Sequence, residues 1–104
     1  MNVVARQVRE LVDVELAAAN ERFPQFHSDH EGYAVILEEV KELEEPIENI
    51  KLHMNCIFAD IRANRSSMGL IDCVLNQAVH AACEAIQVAA MCRKFLEMEA
   101  QHDN

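Results

Sequence analysis

The chain has 104 residues, enough for a single domain, and 51% of them are apolar although only 5% are aromatic. Its formal net charge of −9 argues against a nucleic-acid polymer or an anionic membrane as the main partner, because both would repel it. With two glycines and two prolines, the chain has few residues that break helices. The composition predicts one all-α domain spanning residues 1–104.

The first predicted helix covers about residues 2–22 and ends before the segment "FPQFHSD". Its apolar residues recur at three- and four-residue spacing: Val4, Val8, Leu11, Val12, Leu16, Ala19 and Phe23. Ser28 followed by Glu31 is a capping box and predicts the start of a second helix. One face of that helix carries Tyr33, Ile36, Leu37, Val40 and Leu43.

Pro46 is expected to end or kink the second helix and to open a third helix over about residues 47–64. The residues expected to be buried on this third helix are Ile47, Ile50, Met54, Ile57, Phe58 and Ile61. After the turn "RSSMG", residues 69–101 are predicted to be helical, with or without a break. The sequence therefore predicts an antiparallel bundle of three to four helices.

Four cysteines lie within apolar helical patterns, and no C-x-x-C pair is present. This pattern favours free thiols in a reducing cytosol, and the first twenty residues lack the layout of a signal peptide. The low-charge run 73–92 contains five polar side chains, too many for a lipid-facing span. We expect a cytoplasmic protein in which this run is a buried helix.

The sequence excludes the common glycine-rich motifs that bind phosphate, and it gives only weak support for a nucleophilic serine or cysteine. The dinucleotide fingerprint and the P-loop need more closely spaced glycines than this chain has. No strand-turn-helix elbow accompanies the serines and cysteines, and no paired spacing indicates structural zinc. Candidate chemistry is therefore sought among the acidic residues.

The second helix carries an acidic stripe of Glu31, Glu38, Glu42 and Glu45, with Glu39 to its side. One interpretation is a solvated face. However, like charges four residues apart repel by a few tenths of a kcal/mol. The alternative is that a divalent cation lies among Glu38, Glu39 and Glu42.

Glu84 is the single acidic or basic residue between Asp72 and Arg93. An unpaired carboxylate in such an apolar run is costly, so it needs a partner or a raised pKa. An arginine or a backbone group is one candidate partner. The other is Mg²⁺ held between Glu84 and the acidic cluster of the second helix, because Mg²⁺ prefers carboxylate oxygens and retained waters.

The segments "FHSDHEGYAVILEEVKELEEPI" (26–47) and "EAIQVAAMCRKFLEM" (84–98) resemble the MazG-like branch of the all-α nucleoside-triphosphate pyrophosphohydrolases. In that family, E-E-x-x-E and E-x-x-D motifs bind Mg²⁺, which holds a nucleotide triphosphate. Water attack then releases a nucleoside monophosphate and pyrophosphate. The resemblance implies a Mg²⁺-dependent nucleotide pyrophosphohydrolase that forms a homodimer or tetramer.

Carried over to this chain, the resemblance gives Glu38, Glu39 and Glu42 as metal ligands and candidates for activating water. Glu84 matches the first acid of the second motif, and Gln87 stands where the family has Asp. A glutamine can ligate a metal through its oxygen but cannot act as a base.

Three further residues are expected to bind substrate. Arg93 and Lys94 are candidates for pairing with phosphates, although cationic residues near a helix end also complement the helix dipole. His30 is expected to line the pocket.

Two alternatives to the enzyme stay open. Gln87 stands in place of the Asp of the family motif, and the long spacing between the two motifs indicates an inserted helix. Both features favour a non-catalytic module that keeps a metal site, a nucleotide site or an oligomer contact. A di-iron carboxylate bundle is the other, but it requires Glu-x-x-His pairs.

Overall fold

The computed structural model describes residues 3–102. Its helices are α1 (Ala5–Arg22), α2 (Asp29–Arg62) and α3 (Met68–His102), and the described residues include no strand. The predicted all-α fold is therefore confirmed, with three helices. None of the helices in the described range has an apolar stretch long enough to cross a membrane.

The start of α2 confirms the predicted cap. The hydroxyl of Ser28 accepts a hydrogen bond from the backbone N–H of Glu31 at 3.1 Å. The Glu31 carboxylate reaches back to the backbone N–H of His27 at 3.3 Å and lies 3.0 Å from its ring Nδ1. The hydrogen bond with His27 holds the pKa of Glu31 below its ordinary value. This end of α2 is fixed by local contacts, as the sequence predicts.

The prediction of a separate third helix beginning after Pro46 is wrong. α2 continues through Pro46, which is buried within it. A proline has no backbone N–H, so the carbonyl group of Glu42 loses its usual helical partner. Packing of the long α2 against α3 outweighs that local cost. The residues between the two acidic motifs therefore lengthen a single hairpin and do not form an inserted helix.

The α2–α3 hairpin turns through residues 63–67, where Asn64 adopts a left-handed conformation with φ of 57°. Asparagine tolerates this conformation better than most residues. α3 also packs against α1, burying Val12 and Leu16 against Ala90. Because α1 packs around this C-terminal part of α3, the hairpin beyond it is only two helices thick.

The hairpin buries fewer apolar residues than the periodicity predicts. Of the six residues expected to be buried over 47–64, Ile57 is buried and Ile50 partly buried, whereas Ile47, Met54, Phe58 and Ile61 are exposed. Tyr33 and Leu37 of the preceding face are also exposed. Each helix of a two-helix layer covers only one side of its neighbour, so much of a wide apolar face stays uncovered.

The four cysteines are free, as predicted, but Cys56, Cys73 and Cys83 are exposed. Their expected role as small core residues is wrong for these three. They lie on parts of the helices that no neighbouring helix covers.

Candidate metal centre

Glu84 lies on the side of α3 that faces α2. Its Oε1 is 3.2 Å from Nε2 of His80, one turn earlier on the same helix. Its Oε2 is buried and has no hydrogen-bond partner. Within the described residues no arginine pairs with this carboxylate, so the alternative of an arginine partner is not what the structure shows.

The acidic residues that Glu84 meets are Glu39 and Glu42 of α2. One carboxylate oxygen from each of these three residues lies within 4.8 Å of the other two. Glu39 and Glu42 are three residues apart, so they lie on neighbouring turns of the same helix side. The antiparallel hairpin brings Glu84 to the same level. Residues distant in sequence therefore form one acidic cluster.

Glu39 is the cluster residue whose pKa is shifted. Burial raises the pKa of Glu39, and the negative charges of Glu42 and Glu84 raise it further. A hydrogen bond with Glu42 and the charge of Glu38 act in the same direction. The Oε2 of Glu39 is buried without a partner, like that of Glu84. Each helix thus contributes to the cluster a glutamate that has one buried, unsatisfied oxygen.

These residues fit a hard divalent cation. Mg²⁺ binds oxygen ligands at about 2.1 Å, so two oxygens on opposite sides of the ion are about 4.2 Å apart. Only one pair of the three oxygens can be opposite, and neighbouring ligands of an octahedral ion are about 3.0 Å apart, so the side chains must move closer together when an ion binds. A cation there would give these carboxylates a partner and offset the like-charge repulsion between them.

Beside the cluster is a cavity of about 550 Å³ between α1, the α1–α2 connection, α2 and α3. Its wall includes Glu39 from the cluster and Gln87, which follows Glu84 by one helical turn. Two cationic residues, Arg22 and Lys94, also line it. The cavity is large enough for a small organic ligand, and its wall carries Glu39 together with positively charged side chains.

Lys94 is almost completely buried, with 2% of its surface exposed. Its Nζ lies 5.1 Å from the centre of the Phe26 ring, a cation–π contact. The backbone carbonyl of Lys94 accepts a hydrogen bond from Nε2 of Gln25 at 3.1 Å. The connection between α1 and α2 thus holds this lysine at the cavity wall. Lys94 is therefore more than a solvated charge near a helix end.

The structure separates the other predicted site residues from this arrangement. Glu38 is exposed and outside the set of three oxygens, although its charge acts on Glu39. Arg93 pairs with Asp13 and Glu97 and lines a second cavity, between α1 and α3. His30 is exposed on the first turn of α2. The close cluster consists of Glu39, Glu42 and Glu84, with Gln87 and Lys94 in the adjacent cavity.

Three site residues were not predicted from the sequence: His80, Arg22 and Phe26. The position of His80 four residues before Glu84 is a detectable signal, because such residues are neighbours on a helix. Arg22 and Phe26 line the cavity because of the path that the chain takes from α1 to α2. That connection has no periodic sequence pattern from which their position could be predicted.

Comparison of the chain with protein-family models, with curated proteins and with solved structures found no match. The assignment of a function therefore depends on the geometry of these residues and on the sequence resemblance.

Proposed function

We propose that this protein is a Mg²⁺-dependent nucleotide pyrophosphohydrolase of the MazG-like type, which converts a nucleoside triphosphate to the monophosphate and pyrophosphate. The observation that carries the proposal is the convergence of Glu39, Glu42 and Glu84, with two buried oxygens that lack partners. The neighbouring cavity adds Lys94 as a fixed positive charge. A metal-bound polyphosphate requires carboxylates for the ion and a cation for its phosphates, and Glu39 and Lys94 line the same cavity.

In this proposal Glu39, Glu42 and Glu84 hold Mg²⁺, with Gln87 as a further oxygen donor beside them. When bound, the ion neutralises and orients the phosphates of the substrate. Lys94 lies where it can pair with a phosphate oxygen at the cavity wall. The buried position of Lys94 makes such a pair stronger than it would be in water.

A carboxylate of the α2 cluster acts as general base. The candidates are Glu38, Glu39 and Glu42, and a carboxylate oxygen that is not bound to the ion would accept the proton. The water oxygen forms a bond to the α-phosphorus, and the bond from that phosphorus to the bridging oxygen breaks. The proton passes to the carboxylate, and pyrophosphate leaves with the bonding electron pair.

The test is a panel of ribo- and deoxyribonucleoside triphosphates incubated with Mg²⁺, with released pyrophosphate and monophosphate measured. We expect stoichiometric formation of both products from at least one substrate. Glu84→Gln should abolish the reaction, whereas Glu45→Gln, on the same acidic stripe but outside the cluster, should retain it. Absence of pyrophosphate release from every substrate would remove the enzymatic proposal.

A non-catalytic module is the second candidate, and the residue that favours it is Gln87. The family that the chain resembles has Asp at the position of Gln87. The glutamine in the cavity wall supplies neither a negative charge nor a base. This candidate predicts that Mg²⁺ and a nucleotide raise the melting temperature together without any product. Turnover with the same ligands would exclude it. For both candidate functions we propose a cytoplasmic location, because the four cysteines are free.

A further inference from the structure

Two polar side chains in the outer part of the α2–α3 hairpin have a buried atom without a partner. The Nδ1 of His53 on α2 and the Oε1 of Gln77 on α3 make no hydrogen bond to any described residue. Both residues are partly buried, and α1 packs further along α3, around Ala90. Their side chains are therefore covered where α2 and α3 meet. Buried polar atoms are rarely left without a partner, so these two indicate a missing one.

His53 and Gln77 lie at the same level of the hairpin. α2 ends at Arg62, nine residues after His53, and α3 begins at Met68, nine residues before Gln77. With a rise of about 1.5 Å per residue, both positions are about 14 Å from the hairpin turn. Antiparallel packing therefore places the two side chains opposite each other.

Two cysteines lie at one further level, closer to the hairpin turn. Cys56 directly precedes Ile57, and Cys73 directly precedes Val74, the more buried residues through which the two helices face each other. Each cysteine is thus rotated by about 100° in the same sense from the interface. In antiparallel helices, equal rotations lead to the same side of the hairpin. Both thiols are free and exposed there.

The two levels are neighbours along each helix, and we call the four residues the thiol cluster: His53, Cys56, Cys73 and Gln77. Cys56 follows His53 by three residues and Cys73 precedes Gln77 by four, the spacings at which side chains on a helix meet. Imidazole nitrogen and thiolate sulfur are the donors that zinc prefers, whereas Mg²⁺ prefers oxygen. The sequence shows no zinc motif, because only the register of the hairpin brings the two short spacings together.

A metal ion suits the two cysteines better than a disulfide does. For helices with axes about 8–10 Å apart, residues in these positions have Cα atoms about 6–8 Å apart. A disulfide usually requires about 4.4–6.8 Å. A tetrahedral ion with metal–sulfur bonds of about 2.3 Å holds two sulfurs about 3.8 Å apart, so it spans a wider gap. The donor atoms of His53, Cys56 and Cys73 are not all within 4.8 Å of one another, so the exposed thiols must rotate toward the ring when an ion binds.

We propose that the thiol cluster binds a thiophilic divalent cation of the zinc class, with Nδ1 of His53 and the sulfurs of Cys56 and Cys73 as ligands. The two thiols release their protons to solvent as the thiolate–metal bonds form. Oε1 of Gln77 accepts a hydrogen bond from a water at the fourth position, so both buried atoms gain a partner. The ion ties α2 to α3 in the part of the hairpin that α1 does not reach. This site is separate from the acidic cluster, since Cys56 is 14 residues from Glu42, about 21 Å along α2.

The test titrates the reduced, metal-free chain with Co²⁺, a coloured substitute for Zn²⁺, in the presence of excess Mg²⁺. We expect one Co²⁺ per chain, with the visible absorption of a tetrahedral site and the near-ultraviolet absorption of cobalt–thiolate bonds, both removed by Zn²⁺. Cys56→Ser and Cys73→Ser should each weaken Co²⁺ binding by more than the roughly 10- to 100-fold that loss of an outer-shell partner costs. His53→Gln should weaken it in the same way.

Cys83→Ser is the matched control, because Cys83 is also an exposed cysteine of α3 but lies ten residues, about 15 Å, beyond Cys73. This variant should keep the cobalt–thiolate absorption. Circular dichroism checks that the cysteine variants keep their helix content, which is expected because the replaced side chains are exposed. Absence of cobalt–thiolate absorption in the reduced wild type, or its equal loss in Cys83→Ser, would overturn the proposal. Glu84→Gln should leave the absorption unchanged, so a failure here is distinct from a failure of the proposed activity.

Discussion

A carboxylate oxygen of Glu39 on α2 and one of Glu84 on α3 lie within 4.8 Å of each other, and Glu42 completes the group. Three acidic groups at this spacing destabilise one another unless a proton or a cation is shared. Each of Glu39 and Glu84 also has one buried oxygen without a hydrogen bond. The arrangement is costly in the free protein, and a bound cation would make it favourable.

The first prediction concerns metal-dependent stability. At a Mg²⁺ concentration ten times the dissociation constant, binding adds about 1.4 kcal/mol to the free energy of unfolding, or about 6–11 °C in melting temperature. Glu84→Gln should remove this increase, and Glu45→Gln should keep it. Differential scanning fluorimetry with and without Mg²⁺ measures both. An equal Mg²⁺ response in all three proteins would show that the ion binds elsewhere.

The second prediction concerns pH in the metal-free protein. The pKa of Glu39 is raised in the fold, chiefly by burial and then by Glu42 and Glu84. The native state therefore binds the proton at a higher pH than the unfolded chain, and wild-type stability rises as pH falls through the raised pKa toward the ordinary glutamate pKa of 4.5.

Glu39→Gln lacks this dependence. In EDTA above the raised pKa, we expect the variant to be more stable than wild type by about 0.5 kcal/mol, or about 2–4 °C, from relief of like-charge repulsion. The difference should shrink as pH falls toward 4.5. Thermal unfolding followed by circular dichroism measures it. A variant less stable than wild type at neutral pH would show that the neighbouring charges do not destabilise the Glu39 carboxylate.

The third prediction concerns the packing that positions the cavity. A Cβ at Gly32 would lie 2.7 Å from Cε2 of Phe95 and 3.1 Å from Cδ2 of Phe26. Gly32→Ala should lower the free energy of unfolding by about 1–3 kcal/mol, because the overlap outweighs the better helix propensity of alanine.

Gly69 is the matched control, because it has no atom within 4 Å of its added Cβ. Gly69→Ala, in the first turn of α3, should be neutral or stabilising by up to about 1 kcal/mol. Urea denaturation of both variants measures the contrast. Equal effects at the two positions would contradict the close approach of α2 to Phe95.

The fourth prediction concerns Lys94. Lys94→Met keeps most of the buried volume but removes the positive charge at the cavity wall. We expect affinity for pyrophosphate in the presence of Mg²⁺ to fall about 10- to 100-fold, in line with the loss of a charge-assisted hydrogen bond. Isothermal titration calorimetry measures this, with Lys41→Met, at an exposed lysine of α2, as the control. Unchanged affinity in Lys94→Met would place the anion outside the cavity.

The fifth prediction concerns Gln87, which separates the two proposed functions. Gln87→Asp adds a carboxylate at the cavity wall one turn from Glu84. If the wild type is an inefficient enzyme, the variant should bind Mg²⁺ more tightly and release pyrophosphate faster. If the wild type is a non-catalytic module, the substitution should strengthen metal binding without product. Weaker Mg²⁺ binding by Gln87→Asp would show that position 87 does not face the ion.

Much of the secondary structure was predictable because it depends on neighbours in sequence. The cap of Ser28 with Glu31 and the bounds of the last helix agree with the structure. Pro46 was misleading, because the local cost of a proline is known from sequence but the packing that offsets it is not. The four cysteines were correctly expected to be free.

By itself, the sequence determined that this is a helical protein, that Glu84 is isolated in an apolar run, and that an acidic group on α2 is available to meet it. The tertiary structure decided which residues meet: it brings Glu39 and Glu42 to Glu84, places Lys94 in the wall of a cavity that Glu39 also lines, and leaves Arg93 with Asp13. It also decided that Phe58 and Leu75 stay exposed. Periodicity shows that a helix has an apolar face, but only the number of helices packed around it determines how much of that face is covered.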